Sequence, residues 1–344
     1  MHNLKRARRD VQRREIMRSS FTHWIFLPLL FLLVLPSAVH SAQDPKPSAP
    51  AEQDDQYKLK VNVDMVVLSA TVLNHSGAPV SGLVKEDFQV YEDGVLQQIT
   101  HFSHEDVPVT VGLVVDNSRS MRPKREDVVL AAVAFARSSN PKDQMFVVNF
   151  NEYVSFGLPP DLPFTDKPGQ LQVALSSVRA DGKTALYDAV AAALEHLKKG
   201  TRDKKVLIVV SDGGDNASQH KLDQVMALAN QSDAIIYTLG IFDDEDMDKN
   251  PGVLKRIAKA TGGETFLPKL LTEVSPICER IAHDIRSQYT IAYVPSNRSQ
   301  DAKYRSIQVK ATGVGQGKLS VRTRAGYSVP VKPQPALTAN PKAQ

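Results

Sequence analysis

The sequence predicts an α/β fold: a doubly wound, mostly parallel sheet placed between N- and C-terminal β segments that form a β-sandwich-like module. Three observations carry this expectation. Residues 109–115 and 206–210 are nearly continuous apolar runs, the pattern of parallel strands buried on both faces. Apolar positions between and after them recur at helical spacing, so strands alternate with helices. Outside that region, residues 59–65 and 289–294 alternate apolar with polar side chains, as half-buried strands do.

The N-terminus explains the charge. The chain has 344 residues and a formal net charge of +4. Seven of its Lys and Arg residues but only two acids lie in residues 1–41, so the remainder carries about one net negative charge. A nucleic-acid footprint is therefore not expected. The basic stretch leads into an apolar run at 24–39 and then into His40-Ser41-Ala42. Residues 1–42 thus read as a secretory signal, with cleavage after Ser41, or as an N-terminal membrane anchor. The 16-residue run contains Pro28 and Pro36 and is short for a full span. The expected location is exported: periplasm, cell envelope or secreted. One cysteine, Cys278, excludes an intrachain disulfide and a cysteine-rich zinc site; its apolar neighbours predict a buried, inert thiol.

Residues 43–56 form a Pro-rich linker, and 57–106 an N-terminal β segment. Within the latter, the alternation from 57 to 72 reads as a strand, and 88–99 as a hairpin bending at Asp93-Gly94. The α/β domain is expected over 107–286. After strand 109–115 comes a helix with Val129, Ala132, Val133 and Ala136 on one face, then strand 145–150. Residues 184–198 read as a helix, 206–210 as a strand, 222–229 as a helix and 234–241 as a strand. Residues 254–260 form a helix stopped by Gly262-Gly263, and 277–285 read as a further helix. The C-terminal β segment spans 287–331, with strands at 289–294, 306–310 and 319–323, and 332–344 is a disordered tail. Neither β flank has enough strands for a stable sheet alone, so the two are expected to pair.

The chemistry lies where strands end. Ligands of parallel α/β sheets bind beyond the carboxyl ends of the strands. There the chain offers Asp116-Asn117-Ser118-Arg119-Ser120, then Lys183-Thr184, then Ser211-Asp212-Gly213-Gly214-Asp215. In Asp-x-Ser-x-Ser, alternate residues of an extended turn face one way, so one loop supplies three oxygens. Two carboxylates and three hydroxyls without nitrogen or sulfur suit a hard divalent cation. Neutral hydroxyls leave the ion electrophilic, ready to accept an outside carboxylate.

The segments VGLVVDNSRSM, DGKTALYDAV and LIVVSDGGDN resemble the three metal loops of a von Willebrand factor type A domain, a Rossmann-like fold, over roughly residues 107–285. The resemblance implies a metal-ion-dependent adhesion site with Asp116, Ser118 and Ser120 in the first loop, Thr184 in the second and Asp212 in the third. Mg2+ is the implied ion, with Mn2+ or Ca2+ as alternatives. The implied partner is a protein offering an Asp or Glu carboxylate. The flanking segments VSGLVKEDFQVYEDGVLQQI and RSQYTIAYVPSN resemble von Willebrand A-related envelope proteins frequent among acidobacteria.

The expected function is non-enzymatic binding, in adhesion or envelope assembly, with the membrane involved only through the N-terminal segment. The alternatives are a structural envelope subunit with a vestigial metal site, and a metal-dependent hydrolase. For the hydrolase, only Asp181 and Asp215 offer a general base, and no Ser/His/Asp triad or HExxH motif is present. Asp181 and Asp215 read rather as turn residues, Arg119 as an exposed rim residue, and the acidic run at 243–248 as a solvated loop.

Overall fold

In a computed structural model of the chain, the residues described are 65–242, 249–299, 303–313, 315 and 317–329. The signal or anchor, the linker, residues 57–64 of the first expected strand, the acidic run and the tail lie outside them. No helix among the described residues is long and apolar enough to cross a membrane.

The first flank supplies β1 (Val66–Leu73), β2 (Phe88–Glu92), β3 (Val95–Gln97) and β4 (Ile99–Ser103). The central region supplies β5 (Val109–Asp116), α1 (Arg125–Ser138), β6 (Gln144–Phe150), β7 (Val154–Phe156), α2 (Pro168–Ser176), α3 (Leu186–Leu197), β8 (Lys204–Ser211), α4 (Leu222–Gln231), β9 (Ile235–Gly240), α5 (Pro251–Thr261), β10 (Thr265–Phe266) and α6 (Val274–Arg286). The second flank supplies β11 (Tyr289–Tyr293), β12 (Tyr304–Ala311), β13 (Ser320–Arg322) and β14 (Gly326–Ser328).

The central strands form one six-stranded sheet in the order β10-β9-β8-β5-β6-β7. All its pairings are parallel except β6 with β7. All eight residues of β5 are buried, because helices cover both faces, and this explains its unbroken apolar run. Chain order reverses between β5 and β8, which lie side by side with Val115 opposite Val210. That reversal is where a crevice opens at the carboxyl ends of the strands.

The flanks pair across the inserted domain. One antiparallel sheet runs β13-β1-β11-β4 and the other β14-β12-β2-β3, so each combines strands from before and after the central domain. Leu68, Val90, Ile291, Tyr293 and Val309 belong to their common hydrophobic core. The chain enters and leaves the α/β domain through a narrow neck. There Ser103 pairs with Thr290, His104 Nε2 lies 3.1 Å from Ser287 O, and Arg286 Nε is 2.7 Å from Asp106. Arg322 of β13 bridges Glu264 and Asp284, and Arg324 Nη2 donates to Asn230 O at 2.7 Å. These contacts fasten the β module to the flank of the central sheet.

Several elements differ from expectation. The helix expected from Thr184 begins at Leu186. The main chain before it is committed elsewhere: Ala185 N donates to Asn151 O and Thr184 O accepts from Asn216 N. The strand expected over 319–323 is reduced to Ser320–Arg322. Five elements, β4, β7, α2, β10 and β14, have no counterpart in the sequence reading.

Candidate metal centre

The crevice is built from three segments. Asp116 closes β5 and turns through Ser118 into a 3-10 turn, Arg119–Lys124, ahead of α1. Its carboxylate starts that turn by accepting from Ser118 N at 2.8 Å, the local bond that favours Asp at such positions. The other oxygen accepts from Ser211 Oγ at 2.6 Å, which locks the end of β5 to the end of β8. Asp212 accepts from Gly214 N at 3.0 Å and from Ser120 Oγ at 2.6 Å. Ser120 Oγ also lies 3.1 Å from Ser118 Oγ. Asp116, Ser118, Ser120 and Asp212 therefore form one continuous hydrogen-bonded chain.

Thr184 arrives by its main chain. Its N–H donates to Asn216 Oδ1 at 2.9 Å, and its carbonyl accepts from Asn216 N and Ala217 N at 3.0 and 3.1 Å. The loop before it is laced to the first segment by Asp181 N to Asn117 O, 2.9 Å, and by Arg119 N to Gly182 O, 3.2 Å. Thr184 is buried, and no hydrogen bond joins its hydroxyl to the other four residues among the described residues.

Two glycines make these loops possible. Gly182 (φ +83°) and Gly213 (φ +80°) occupy left-handed backbone, which glycine adopts without steric cost. A Cβ at Gly213 would stand 2.4 Å from Asn250 O, beside the bond by which Asn250 N holds Asp212 O at 3.0 Å.

The electrostatics are lopsided. Asp116 and Asp212 are 2% and 4% exposed. Burial pushes the Asp116 carboxyl up to about 7, with the Asp212 charge adding and the Ser211 and Ser118 hydrogen bonds opposing. Neither carboxylate has an ion-pair partner among the described residues. A buried carboxylate without a counter-charge is costly, and a cation between the two would relieve that cost. No three His, Cys, Asp or Glu gather in a metal-ligating group among the described residues. A cation here would rest on two carboxylates and hydroxyls alone, a donor set that fits Mg2+, Mn2+ or Ca2+.

The supporting residues were not evident from sequence. Ser211 was visible in the strand-end motif, but its bond to Asp116 was not. Asn117 faces inward, donating to Val115 O at 3.0 Å and Asn149 Oδ1 at 3.2 Å and accepting from Arg125. Asn151 and Glu152 hold the second loop from the side, through Asn151 Nδ2 to Asp181 O at 3.2 Å and Lys183 N to Glu152 Oε2 at 2.8 Å. Asp215 caps α3 instead, accepting from Tyr187 N at 2.9 Å and Ser218 Oγ at 2.6 Å. Asp181 pairs with Arg119 and Arg122 at 3.3 and 3.0 Å. Cys278 is buried, and burial pushes its thiol up to about 12, leaving it inert. A cleft of about 880 Å3 between α3 and α4, where His220 Nδ1 lies 2.6 Å from Asp188, is lined by none of the five residues.

Residues 111–214, which contain all five positions, match the von Willebrand factor type A domain family. The fold is similar to a von Willebrand factor type A structure from Catenulispora acidiphila, at 14% identity and TM-score 0.48, covering 78% of this chain and 74% of that one. It is also similar to the hypothetical protein BatB from Bacteroides thetaiotaomicron, at 17% identity and TM-score 0.42, covering 52% of this chain and 100% of that one. A third likeness is to the vWF domain of the type V pili tip protein Mfa5 from Porphyromonas gingivalis, at 14% identity and TM-score 0.44, covering 52% and 97%. No curated protein matches the sequence.

Proposed function

This chain contains a von Willebrand factor type A domain, and from that premise we propose that it is an exported, non-enzymatic binding protein of the cell envelope. It takes a protein partner through a divalent cation held by Asp116, Ser118, Ser120, Thr184 and Asp212. The observation that supports this reading is the pair of buried carboxylates, Asp116 and Asp212, joined through Ser120 and without an ion-pair partner among the described residues. Export rests on the basic, apolar and small-residue order of residues 1–42.

Mg2+, or Mn2+ or Ca2+, would supply a positive charge with a coordination position open to a partner's Asp or Glu carboxylate. The remaining work belongs to the chain. Ser211 fixes one oxygen of Asp116 and leaves the carboxylate aimed by the Ser118 amide. Gly214 N orients Asp212 from the opposite strand end. Ser118, Ser120 and Thr184 contribute neutral oxygens, so the charge of a bound ion is only partly offset. Asp181 and Asp215, the two carboxylates weighed as a general base, are committed to arginines and to a helix N-terminus, which supports a binding rather than a hydrolytic reading.

Calorimetric titration of Mg2+ and Mn2+ into the full chain tests the centre, and capture from envelope extract tests the partner. The chain should bind the ion and release captured protein into EDTA, and Asp116→Ala and Thr184→Ala should lose both properties. Capture indifferent to chelator and to both substitutions would remove the mechanism while leaving the fold intact.

A further inference from the structure

The rim beside the carboxylates carries charge that none of the five residues uses. Arg119 and Arg122, on the turn that follows Ser118, both reach a single carboxylate, Asp181, at 3.3 and 3.0 Å. Their side chains are 77% and 60% exposed, and that of Asp181 is 60% exposed. Each guanidinium offers five N–H donors. Arg122 spends one more on Ala180 O at 3.0 Å. Arg119 gives its side chain to nothing but Asp181 among the described residues. The hydrogen bond from Gly182 N, followed by that from Arg119, holds the Asp181 carboxyl below the usual range. Asp181 therefore stays charged, and the trio keeps one net positive charge.

Stability does not account for this arrangement. Ion pairs this open are worth little, and the loop is already tied down by Asp181 N to Asn117 O, Arg119 N to Gly182 O and Arg122 Nε to Ala180 O. Exposed Lys183 extends the basic rim. Tyr153, 75% exposed, follows the Asn151–Glu152 pair that holds the same loop. Arg and Tyr are the residue types enriched where proteins bind one another. Arg119 also lies in sequence between two of the proposed ligands, Ser118 and Ser120, so it is carried by the same loop.

We propose that Arg119 and Arg122 bind a second carboxylate of the partner, beside the one that reaches the centre. The partner surface is then an acidic protein segment with two acids about two to four residues apart, a span set by the rise of an extended chain and the length of one arginine. The inference rests on the reading of the centre given under Proposed function. Asp181 occupies the arginines in the unbound protein and shares or yields them when the second carboxylate arrives. A bidentate guanidinium–carboxylate pair adds orientation as well as attraction, and this fixes which way the segment lies across the rim.

The test uses the full chain in Mg2+ at low salt and two fluorescent Gly/Ser peptides read by anisotropy. One peptide carries a single Asp, and the other carries an Asp with a Glu three residues on. The diacidic peptide should bind about fivefold tighter. The Arg119→Ser/Arg122→Ser double variant should cut that advantage below about twofold, read as the ratio of the two peptides' affinities so that any general loss of positive charge cancels. Arg119→Glu should in turn prefer a peptide whose second acid is replaced by lysine, a gain that a merely damaged rim does not produce. Equal binding of the two peptides by the parent chain, or an advantage that survives the double variant, overturns the inference and leaves the centre standing. Failure of both peptides to bind in Mg2+ overturns the partner-carboxylate reading and this inference with it.

Discussion

Glu92, inside the paired β sheets, and Asp116, at the end of the six-stranded sheet, are 3% and 2% exposed, yet their surroundings differ in kind. Glu92 of β2 receives Arg305 of β12 on one oxygen at 3.0 Å. The other oxygen takes the hydroxyls of Tyr293 of β11 and Tyr327 of β14, at 2.7 and 3.0 Å. Four strands from both sheets thus meet on one neutralised carboxylate. Asp116 has hydroxyl and amide donors but a second carboxylate, Asp212, in place of an arginine. At Glu92 the chain supplies the counter-charge itself. At the crevice neither carboxylate has an ion-pair partner among the described residues, and under the proposed function a bound cation would supply that charge.

Three substitutions break or sharpen this contrast. The largest effect is expected from Glu92→Ala, which leaves the buried Arg305 charge without a carboxylate, held only by Asn297 O, Ser299 O and the Tyr327 hydroxyl. A loss of about 3–5 kcal/mol in urea unfolding should follow, unchanged by added Mg2+. A loss below about 1 kcal/mol would erase the distinction. Asp116→Asn keeps an oxygen for the Ser118 amide but removes the charge. With EDTA present, its stability should stay within about 1 kcal/mol of the parent. Saturating Mg2+, at a hundredfold over Kd, should stabilise the parent by about 2.7 kcal/mol and the variant not at all.

Asp143 is the intermediate case and gives the smallest effect. It is 4% exposed and accepts from Val109 N at 2.8 Å and Asn140 N at 3.1 Å. Burial, opposed by these bonds, pushes its carboxyl up to about 6 from 3.8. A folded-state value above the unfolded one favours the protonated native form. Its contribution is therefore complete below about pH 4 and is lost as pH rises through 6. After allowance for solvent reaching the carboxylate, the parent should lose about 1 kcal/mol between pH 4 and 7 from this group. Asp143→Asn should not show that loss, so the stability gap between the two should narrow as pH rises. A gap that stays constant across the window would show that the carboxylate titrates as if in water.

The parts of the molecule that sequence discloses are those where one strand or helix explains itself. β5 is buried along its whole length and β8 at every position but Lys205, so their apolar runs need no knowledge of neighbours, and the oxygen-bearing residues that follow stand out. The elements that were missed depend on partners. β7 is three residues long, with Phe156 half-exposed on an edge. In α2, Val173 is 72% exposed, which blurs its apolar face. Glu92 and Arg305 stand at inward positions of alternating strands, in line with Phe88 and Val90 and with Ile307 and Val309, but a charge ordinarily marks the wet face, and the partner that accepts it is visible only in the pairing of β2 with β12. At the candidate centre, the oxygens of the proposed ligands follow a local spacing, whereas Asn151, Glu152 and Asn216 act from other loops.

The neck has a mechanical consequence. Because Ser103 and Thr290 are paired neighbours, the two points where the α/β domain joins the rest of the chain nearly coincide. A pull applied through the flanking strands is borne by β1 against β11 and β4 against β11, where it must shear antiparallel pairs. It does not stretch the six-stranded sheet, whose ends are shorted together at the neck. A pull between the two flanks would therefore leave the crevice undeformed until the flanking sheets part, whereas a pull on the crevice itself would load the six-stranded sheet and reach the flanks only through the neck.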